Sequence, residues 1–419
     1  MARDLRLPSW RDRLPWRFLK GGPMELHEIL KSLCSIKDPS GAVVTLALDV
    51  AMPKPPLSEA GGFYRNRLLD QLGLNDHPAP TREILGSVSG RISHYLDMEL
   101  RPETEGLFVV AGPGVWQPFE LAVPVQDFMH VGRTPYLAPL LEALTRMPRA
   151  YVLRFDQQEG ILEEVLMGTR KEIERLSSAV VERHAQHQMS SHTTLQAGSA
   201  RSATRMGGGG RDRFQHCVED AVEAMLHKAA DKVLALQREA PSEAIYVFGD
   251  RKHFPFFRDR LPAGLRSQAI HVGPVPHRHE ELLDQSIREQ QASRLRNRID
   301  GEILEFQARR AEQCHVASGP EEILRHLDTG KVARVFLDPG EPLPGTQCTA
   351  CGARAGTDKE KCEACGSFLA ATSMTQEVLS HVLLHPPVPL TFVPRGESWL
   401  EESGGMAALL SEKGIHSRR

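Results

Sequence analysis

Two turns of the form Cys-x-x-Cys-Gly constrain this chain more than any other feature: Cys348-Thr-Ala-Cys351-Gly352 and, nine residues on, Cys362-Glu-Ala-Cys365-Gly366. Each pair offers two thiolates from one tight turn, and two pairs close a tetrahedral sphere around a single Zn2+. The glycine after each pair permits the positive φ that lets backbone N–H groups point at the sulfurs. A redox dithiol needs one such pair, and an iron–sulfur cluster usually lacks this symmetry. The reading is therefore a structural zinc ribbon held by Cys348, Cys351, Cys362 and Cys365, occupying about residues 343–372. It lies between a strand-like run, Val332 to Leu337, and a helix-like run, Thr375 to Leu384, so it decorates a larger α/β domain.

A chain of 419 residues exceeds one ordinary core and implies several domains. The formal net charge of −3 excludes a histone-like polycation and confines any nucleic-acid surface to a local patch. Cys34, Cys217 and Cys314 stand alone in apolar-periodic segments and read as reduced core residues. Unpaired thiols beside paired knuckles point to a reducing cytoplasm. No apolar run approaches the roughly 20 residues of a membrane helix and no signal peptide is visible, so a soluble protein without a membrane partner is expected. Residues 1–23 carry Arg3, Arg6, Arg11, Arg13, Arg17 and Lys20 among Trp10, Trp16 and Phe18. They are either a basic arm that orders on RNA or a segment ahead of a true start at Met24, hence not translated; both readings stay open.

From Met24 a helical pattern leads to a strand-like Ala42 to Leu48, helix-like stretches at Tyr64–Leu72 and Thr81–Leu96, and a second strand, Gly106 to Ala111. Strands separated by helices argue for an α/β unit. The pattern restarts near Met147. Ala150 to Phe155, a turn at Gly160 and Ile161 to Leu166 read as a hairpin, followed by a helix from about Arg170 to Arg183. Residues 186–210 are polar, without apolar period, and read as a mobile loop. The loop carries Arg201 and Arg205 and ends in Gly207, Gly208, Gly209 and Gly210. After it, Phe214, Cys217, Val218, Ala221, Val222, Met225 and Ala229 mark one face of a long helix. Strand-like runs follow at Ala244–Gly249 and Gln268–Val272, then a charged helix from Glu280 to about Arg310.

Four glycines at the mouth of a helix, flanked by Arg205, Arg211 and Arg213, suit the close approach of a phosphate backbone. A solvated linker has the same composition. At this point the chain resembles the class-I translation release factors of archaea and eukaryotes. Gly207 and Gly208 match the paired glycines of their Gly-Gly-Gln loop, and Arg213-Phe214 match the Arg-Phe that follows; Gly209 stands where the catalytic glutamine belongs. Tyr151 to Glu174 is similar to the opening of the family's middle domain, and Gly319 to Leu337 to that of its third domain. The ending Gly404-Gly-Met-Ala-Ala-Leu-Leu410 is also similar.

The resemblance implies an α/β protein of three domains: 24–147, a ribonuclease H-like 148–288 containing the loop 186–210, and an L7Ae-like 289–412 carrying the zinc ribbon, with a tail at 413–419. Two motifs depart from the family. Leu72 to Pro80 lacks the Asn-Ile-Lys-Ser decoding sequence, and Gly209 offers only its backbone N–H. Retained architecture with both chemical motifs lost resembles the Balon group of bacterial hibernation factors. That likeness implies a monomeric cytoplasmic stress factor. It would occupy the ribosomal A site against rRNA without reading a codon or releasing peptide, with elongation factor Tu or another translational GTPase as partner and tRNA as a further contact. Arg201, Arg205, Arg211, Arg213 and the four glycines are then the ribosome-binding residues, and no residue is catalytic. A rescue factor that still cleaves peptidyl-tRNA through Gln196, Gln215 or His216 is the enzymatic alternative. An RNA-binding protein or a metal-dependent nuclease unrelated to the ribosome is the second, the nuclease using Asp156, Glu219 and Asp250 and requiring carboxylates gathered around ions about 4 Å apart. His277-Arg-His279, without a cysteine at ligand spacing, reads as a surface loop.

Overall fold

The computed structural model describes residues 23–38, 41–51, 79–101, 104–166, 168–178, 209–276, 280–340, 342–357, 360–385, 388–394 and 396–411. By contacts the chain divides into two compact units, Met147–Ser293 and the combined segments before and after it. Residues 1–22 of the basic arm, Tyr64–Leu72, the decoding-loop stretch up to Pro78, and His277 and His279 lie outside the described residues.

In the first segment, α1 (Pro23–Cys34) precedes β1 (Val43–Asp49), which forms the inner strand of an antiparallel sheet. After α2 (Ala79–Met98) come β2 (Gly106–Gly112), β3 (Val115–Leu121) and β4 (Phe128–Gly132), giving the sheet order β3-β2-β1-β4. Leu85, Val88, Ile92 and Leu96 recur at helical spacing on α2. They pack against Leu46, Leu48, Leu107 and Val109, alternate residues of the two inner strands. A short helix, α3 (Ala138–Arg146), ends the segment.

The Met147–Ser293 unit is built on β5 (Ala150–Phe155), β6 (Glu159–Leu166), β7 (Thr169–Ser177), the long α4 (Gly209–Glu239) and β8 (Ala244–Phe248). Then follow α5 (Phe254–Arg260), α6 (Ala263–Arg266) and β9 (Ala269–Gly273). Its sheet runs β7-β6-β5-β8-β9, antiparallel through β5 to β7 and parallel through β5, β8 and β9. Val222, Met225, Leu226, Ala229 and Val233 of α4 cover one face over Tyr151, Leu153, Ile245 and Val247. On the other, Val152, Tyr246 and Phe248 meet Leu283 and Ile287 from the start of α7 (Glu280–Ala311).

Three expectations fail. Residues 169–177 form a strand rather than the start of a helix. Gly168, at φ 78°, turns the chain back so that Thr169 pairs with Leu166, and the register continues to Glu159–Ser177. The segment Thr-Arg-Lys-Glu-Ile-Glu-Arg-Leu-Ser shows no clear apolar alternation because ion pairs as well as apolar contacts hold it. Likewise the turn falls before Gly160, where Asp156 Oδ1 accepts the N–H of Gln158 at 2.7 Å and of Glu159 at 2.9 Å. The buried stripe of α4 begins only at Ala221, so Cys217 is exposed, and Cys314 is half-buried; of the three lone cysteines Cys34 alone is buried.

The last segment contains β10 (Val316–Ser318), α8 (Pro320–Asp328) and β11 (Val332–Leu337). The ribbon strands β12 (Pro344–Cys348), β13 (Arg354–Ala355) and β14 (Leu369–Ser373) follow. The chain ends in α9 (Met374–Leu384), β15 (Leu390–Phe392), α10 (Ser398–Glu402) and β16 (Met406–Leu410). The main sheet is β10-β16-β11-β15 and the ribbon sheet β13-β12-β14. Phe306, Phe336 and Trp399 stack with centroids 5.0 to 5.9 Å apart in the core. Helix α9 contacts α1, α3 and α8, and so joins the first and last segments. Its Gln376 Oε1 accepts the N–H of Leu137 at 2.9 Å, and Ser380 meets the buried Cys34 thiol, which burial pushes up from its ordinary pKa.

Candidate metal centre

The ribbon is two near-identical knuckles. In the first, Gly352 N–H donates to Cys348 O at 3.0 Å and Cys348 N–H to Ala353 O at 2.8 Å. In the second, Gly366 N–H donates to Cys362 O and Cys362 N–H to Ser367 O, both at 2.8 Å. Gly352 and Gly366 lie at φ 74° and 73°, the left-handed region that glycine enters without a Cβ penalty. The turns bring the four sulfurs within 4.8 Å of one another, with Cys348–Cys365 at 3.4 Å and Cys351 at 3.5 Å from both Cys362 and Cys365.

A tetrahedron with Zn–S bonds of about 2.3 Å has sulfur edges of about 3.8 Å, so the spacing and the all-thiolate donor set fit one zinc ion. Amides prepare the sulfurs for it. Cys348 Sγ accepts N–H bonds from Cys351 and Ala350, both at 3.4 Å, and its pKa is lowered. Hydrogen bonds from Ser367 hold Cys365 down at about 6. Cys351 receives an amide bond from Ala353, yet its three neighbouring sulfurs push it up to about 12. Among the described residues, this is the group of His, Cys, Asp and Glu side chains gathered closely enough to hold a metal ion.

The ribbon is anchored to α9 rather than hanging free. Glu377 Oε2 accepts Arg354 Nε at 3.0 Å and Gln347 Nε2 at 3.3 Å. A Cβ at Gly345 would stand 2.2 Å from Met374 Cγ, so only glycine lets β12 approach the helix this closely. Ser373 Oγ caps α9 by accepting Gln376 N–H at 3.2 Å.

Of the residues expected to contact RNA, Arg201, Arg205, Gly207 and Gly208 lie outside the described residues, as does Gln196. Gly209 and Gly210 open α4, with Arg211 and Arg213 in its first turns. The acids of the nuclease alternative are engaged individually. Asp156 caps the β5–β6 turn, Asp250 Oδ1 accepts Lys252 N–H at 3.0 Å, and Lys252 Nζ pairs with Glu219 at 3.1 Å.

Sequence reasoning missed a network in the Met147–Ser293 unit. The buried Glu163 accepts Arg170 Nη1 at 3.0 and 3.1 Å and Arg154 Nη2 at 3.1 Å. Both arginines also reach Glu280 at the start of α7, and Arg170 Nε reaches Asp284 at 2.9 Å. The available signal was a Glu inside an apolar strand, Ile161-Leu-Glu-Glu-Val-Leu166, which needs a cationic partner when buried.

Residues 135–291 match the family model described as bacterial archaeo-eukaryotic release factor family 10. No curated protein matches the chain. Among solved structures it is similar to an archaeal translation termination factor, aRF1, at 13% identity over 93% of this chain and 98% of that one, with a TM-score of 0.24. It is similar to Archaeoglobus fulgidus Pelota at 12% identity over 93% of each chain, TM-score 0.31. It is also similar to a ribosome-bound archaeal Pelota, in a structure with ABCE1, at 13% identity over 93% and 94%, TM-score 0.36.

Proposed function

We propose that this chain, a release-factor-like protein matched to bacterial archaeo-eukaryotic release factor family 10 over residues 135–291, binds the ribosomal A site without codon reading or peptide release. Gly209 carries the reading. It is the first residue of α4, in the domain that the family model covers. In the release factors that the chain resembles, the Gly-Gly-Gln glutamine there places the attacking water. Glycine supplies a backbone N–H and nothing that orients a water, and losing one positioned polar group costs about 10²-fold in rate. Arg201, Arg205, Arg211 and Arg213 serve as phosphate contacts in this reading, zinc holds the ribbon structurally, and a translational GTPase such as elongation factor Tu delivers the protein.

Full-length protein incubated with ribosomes carrying labelled peptidyl-tRNA tests this, with co-sedimentation and peptide release measured together. Co-sedimentation that weakens steeply with salt, with no release above background, is the expected result. Release well above background makes the protein a rescue hydrolase instead. No ribosome binding, even with elongation factor Tu present, ends both readings.

A further inference from the structure

A cleft of about 470 Å3 lies between the first-segment sheet and the ribbon, both within the same compact unit. His130 to Gly132 of β4 line it from one side of the chain and Ala370 to Ser373 of β14 from the other. Each of these strands is the last in its sheet, β4 pairing with β1 and β14 with β12. Among the described residues the outer side of β14 is met only at its start, where Leu369 N–H donates to Glu360 O at 3.2 Å. The outer edge of such a strand presents N–H and C=O groups that a further strand can take up.

Exposed edges are normally blunted by charge, proline or a bulge. The β14 edge has none of these. Ala370, Ala371 and Thr372 are small and uncharged, and the β12–β14 register runs unbroken from Pro344–Ser373 to Cys348–Leu369. The charges lining the cleft are asymmetric. Its acids are engaged, Asp38 by the N–H of Ala42 at 3.1 Å and Glu377 by Arg354 and Gln347. Lys37 and Arg133 are exposed and form no ion pair with a described residue.

We infer that this cleft docks an extended acidic peptide segment of a partner protein, which adds as a strand to β14 and sets its carboxylates against Lys37 and Arg133. Strand addition takes its affinity from main-chain hydrogen bonds and its selectivity from alternate side chains. Four residues of β14 span roughly 10 Å at about 3.3 Å per residue, so the motif is short. A phosphate backbone would satisfy the two cations but leave the strand edge and the apolar lining of Val131 and Leu343 without a partner. The inference does not depend on the ribosomal reading.

The test pans a displayed library of random octapeptides against the zinc-loaded full-length protein. Acidic sequences rich in β-branched residues should be enriched, and a synthetic copy of the leading one should slow amide exchange at Ala371, whose N–H faces away from β12. Affinity should fall about tenfold or more in the double variant Lys37→Glu, Arg133→Glu and in Ala371→Arg, which crowds the cleft. Unchanged zinc content and melting temperature certify the fold of each variant, and the surface double variant serves if Ala371→Arg disturbs the ribbon. No acidic enrichment, or enrichment indifferent to the charge reversal, overturns the proposal. So does binding of a single-stranded RNA octamer that the charge reversal abolishes while no peptide binds.

Discussion

Gly352 and Gly366 are conformational twins: φ is 74° and 73°, and each returns its N–H to the carbonyl of the cysteine four residues earlier. A Cβ at either would meet nothing within 4 Å, so the demand for glycine is purely one of backbone conformation. Replacing Gly366 by Val should cost about 1–2 kcal/mol, the left-handed penalty for an L-residue. Ligand turns and metal form together, so that cost should appear as a zinc affinity lowered about 5- to 30-fold. Competition against a chromophoric chelator measures it; an unchanged affinity would mean that the knuckles do not fold with the metal.

Cys365→Ser removes one of four thiolates and should cut zinc content of the purified protein to well below one equivalent. Loss of metal should loosen β12 to β14 while the β10-β16-β11-β15 sheet holds, because Phe306, Phe336 and Trp399 pack without the ribbon. Amide exchange resolved by segment distinguishes the two. Faster exchange across the whole last segment would show that the ribbon supports the sheet.

The knuckles were legible because their chemistry is local: spacing fixes the sulfurs and glycine fixes the turn. Inner strands such as Val332–Leu337, apolar but for Arg334, and Ala244–Phe248 were legible from nearly continuous apolar runs. The β7 segment was not, since a strand held partly by Arg175 against Glu159 and Lys232 against Glu174 has the polarity of a surface helix. Equally unannounced was the packing of the segments before residue 147 and after residue 293 as one unit. It rests on the packing of α9 against α1 and α3 and on long-range bonds, Leu137 N–H to Gln376 and Tyr136 Oη to Pro339 O, and neither names its distant partner in the local sequence.

The Glu163 network should be the most mutation-sensitive polar feature of the Met147–Ser293 unit. Glu163 is 4% exposed, and Arg154 and Arg170 converge on it. Glu163→Ala leaves two largely buried guanidinium groups short of a partner and should destabilise by about 3 kcal/mol. Glu163→Gln, which keeps an acceptor oxygen, should cost less. Urea midpoints read by a probe within this unit supply the comparison, and equal losses would point to packing rather than charge.

Glu280 adds a pH signature to the same network. Hydrogen bonds from Arg170 and then Arg154 lower its pKa below the ordinary 4.5. A carboxylate whose folded pKa is depressed stabilises the fold fully above the unfolded value and loses that contribution as pH falls through the folded one. The stability gap between the parent and Glu280→Gln should therefore be constant from neutral pH down to about 5 and close below about 4.5. It should be small and salt-sensitive, since Glu280 is largely exposed. Urea titrations at several pH values test the sign; a gap that widens in acid would contradict the assignment.

Gly209→Gln separates a loop that has lost its chemistry from one that never needed a glutamine again. At the first residue of α4 the change is tolerable to the helix, since glutamine has the higher helix propensity and glycine costs about 1 kcal/mol relative to alanine in a helix interior. Folding should therefore be unaffected, and any change in peptide release will report on the site. If the surroundings had stayed arranged for hydrolysis, the restored amide would orient a water and raise release by part of the roughly 10²-fold such a group supplies. The A-site-occupancy reading expects no gain, because positioning also requires neighbours held to within fractions of an ångström. Release of labelled peptide, normalised to the protein that co-sediments with ribosomes, decides between them: a rate indistinguishable from the parent supports occupancy, and a gain of tenfold or more reassigns the protein to peptidyl-tRNA rescue.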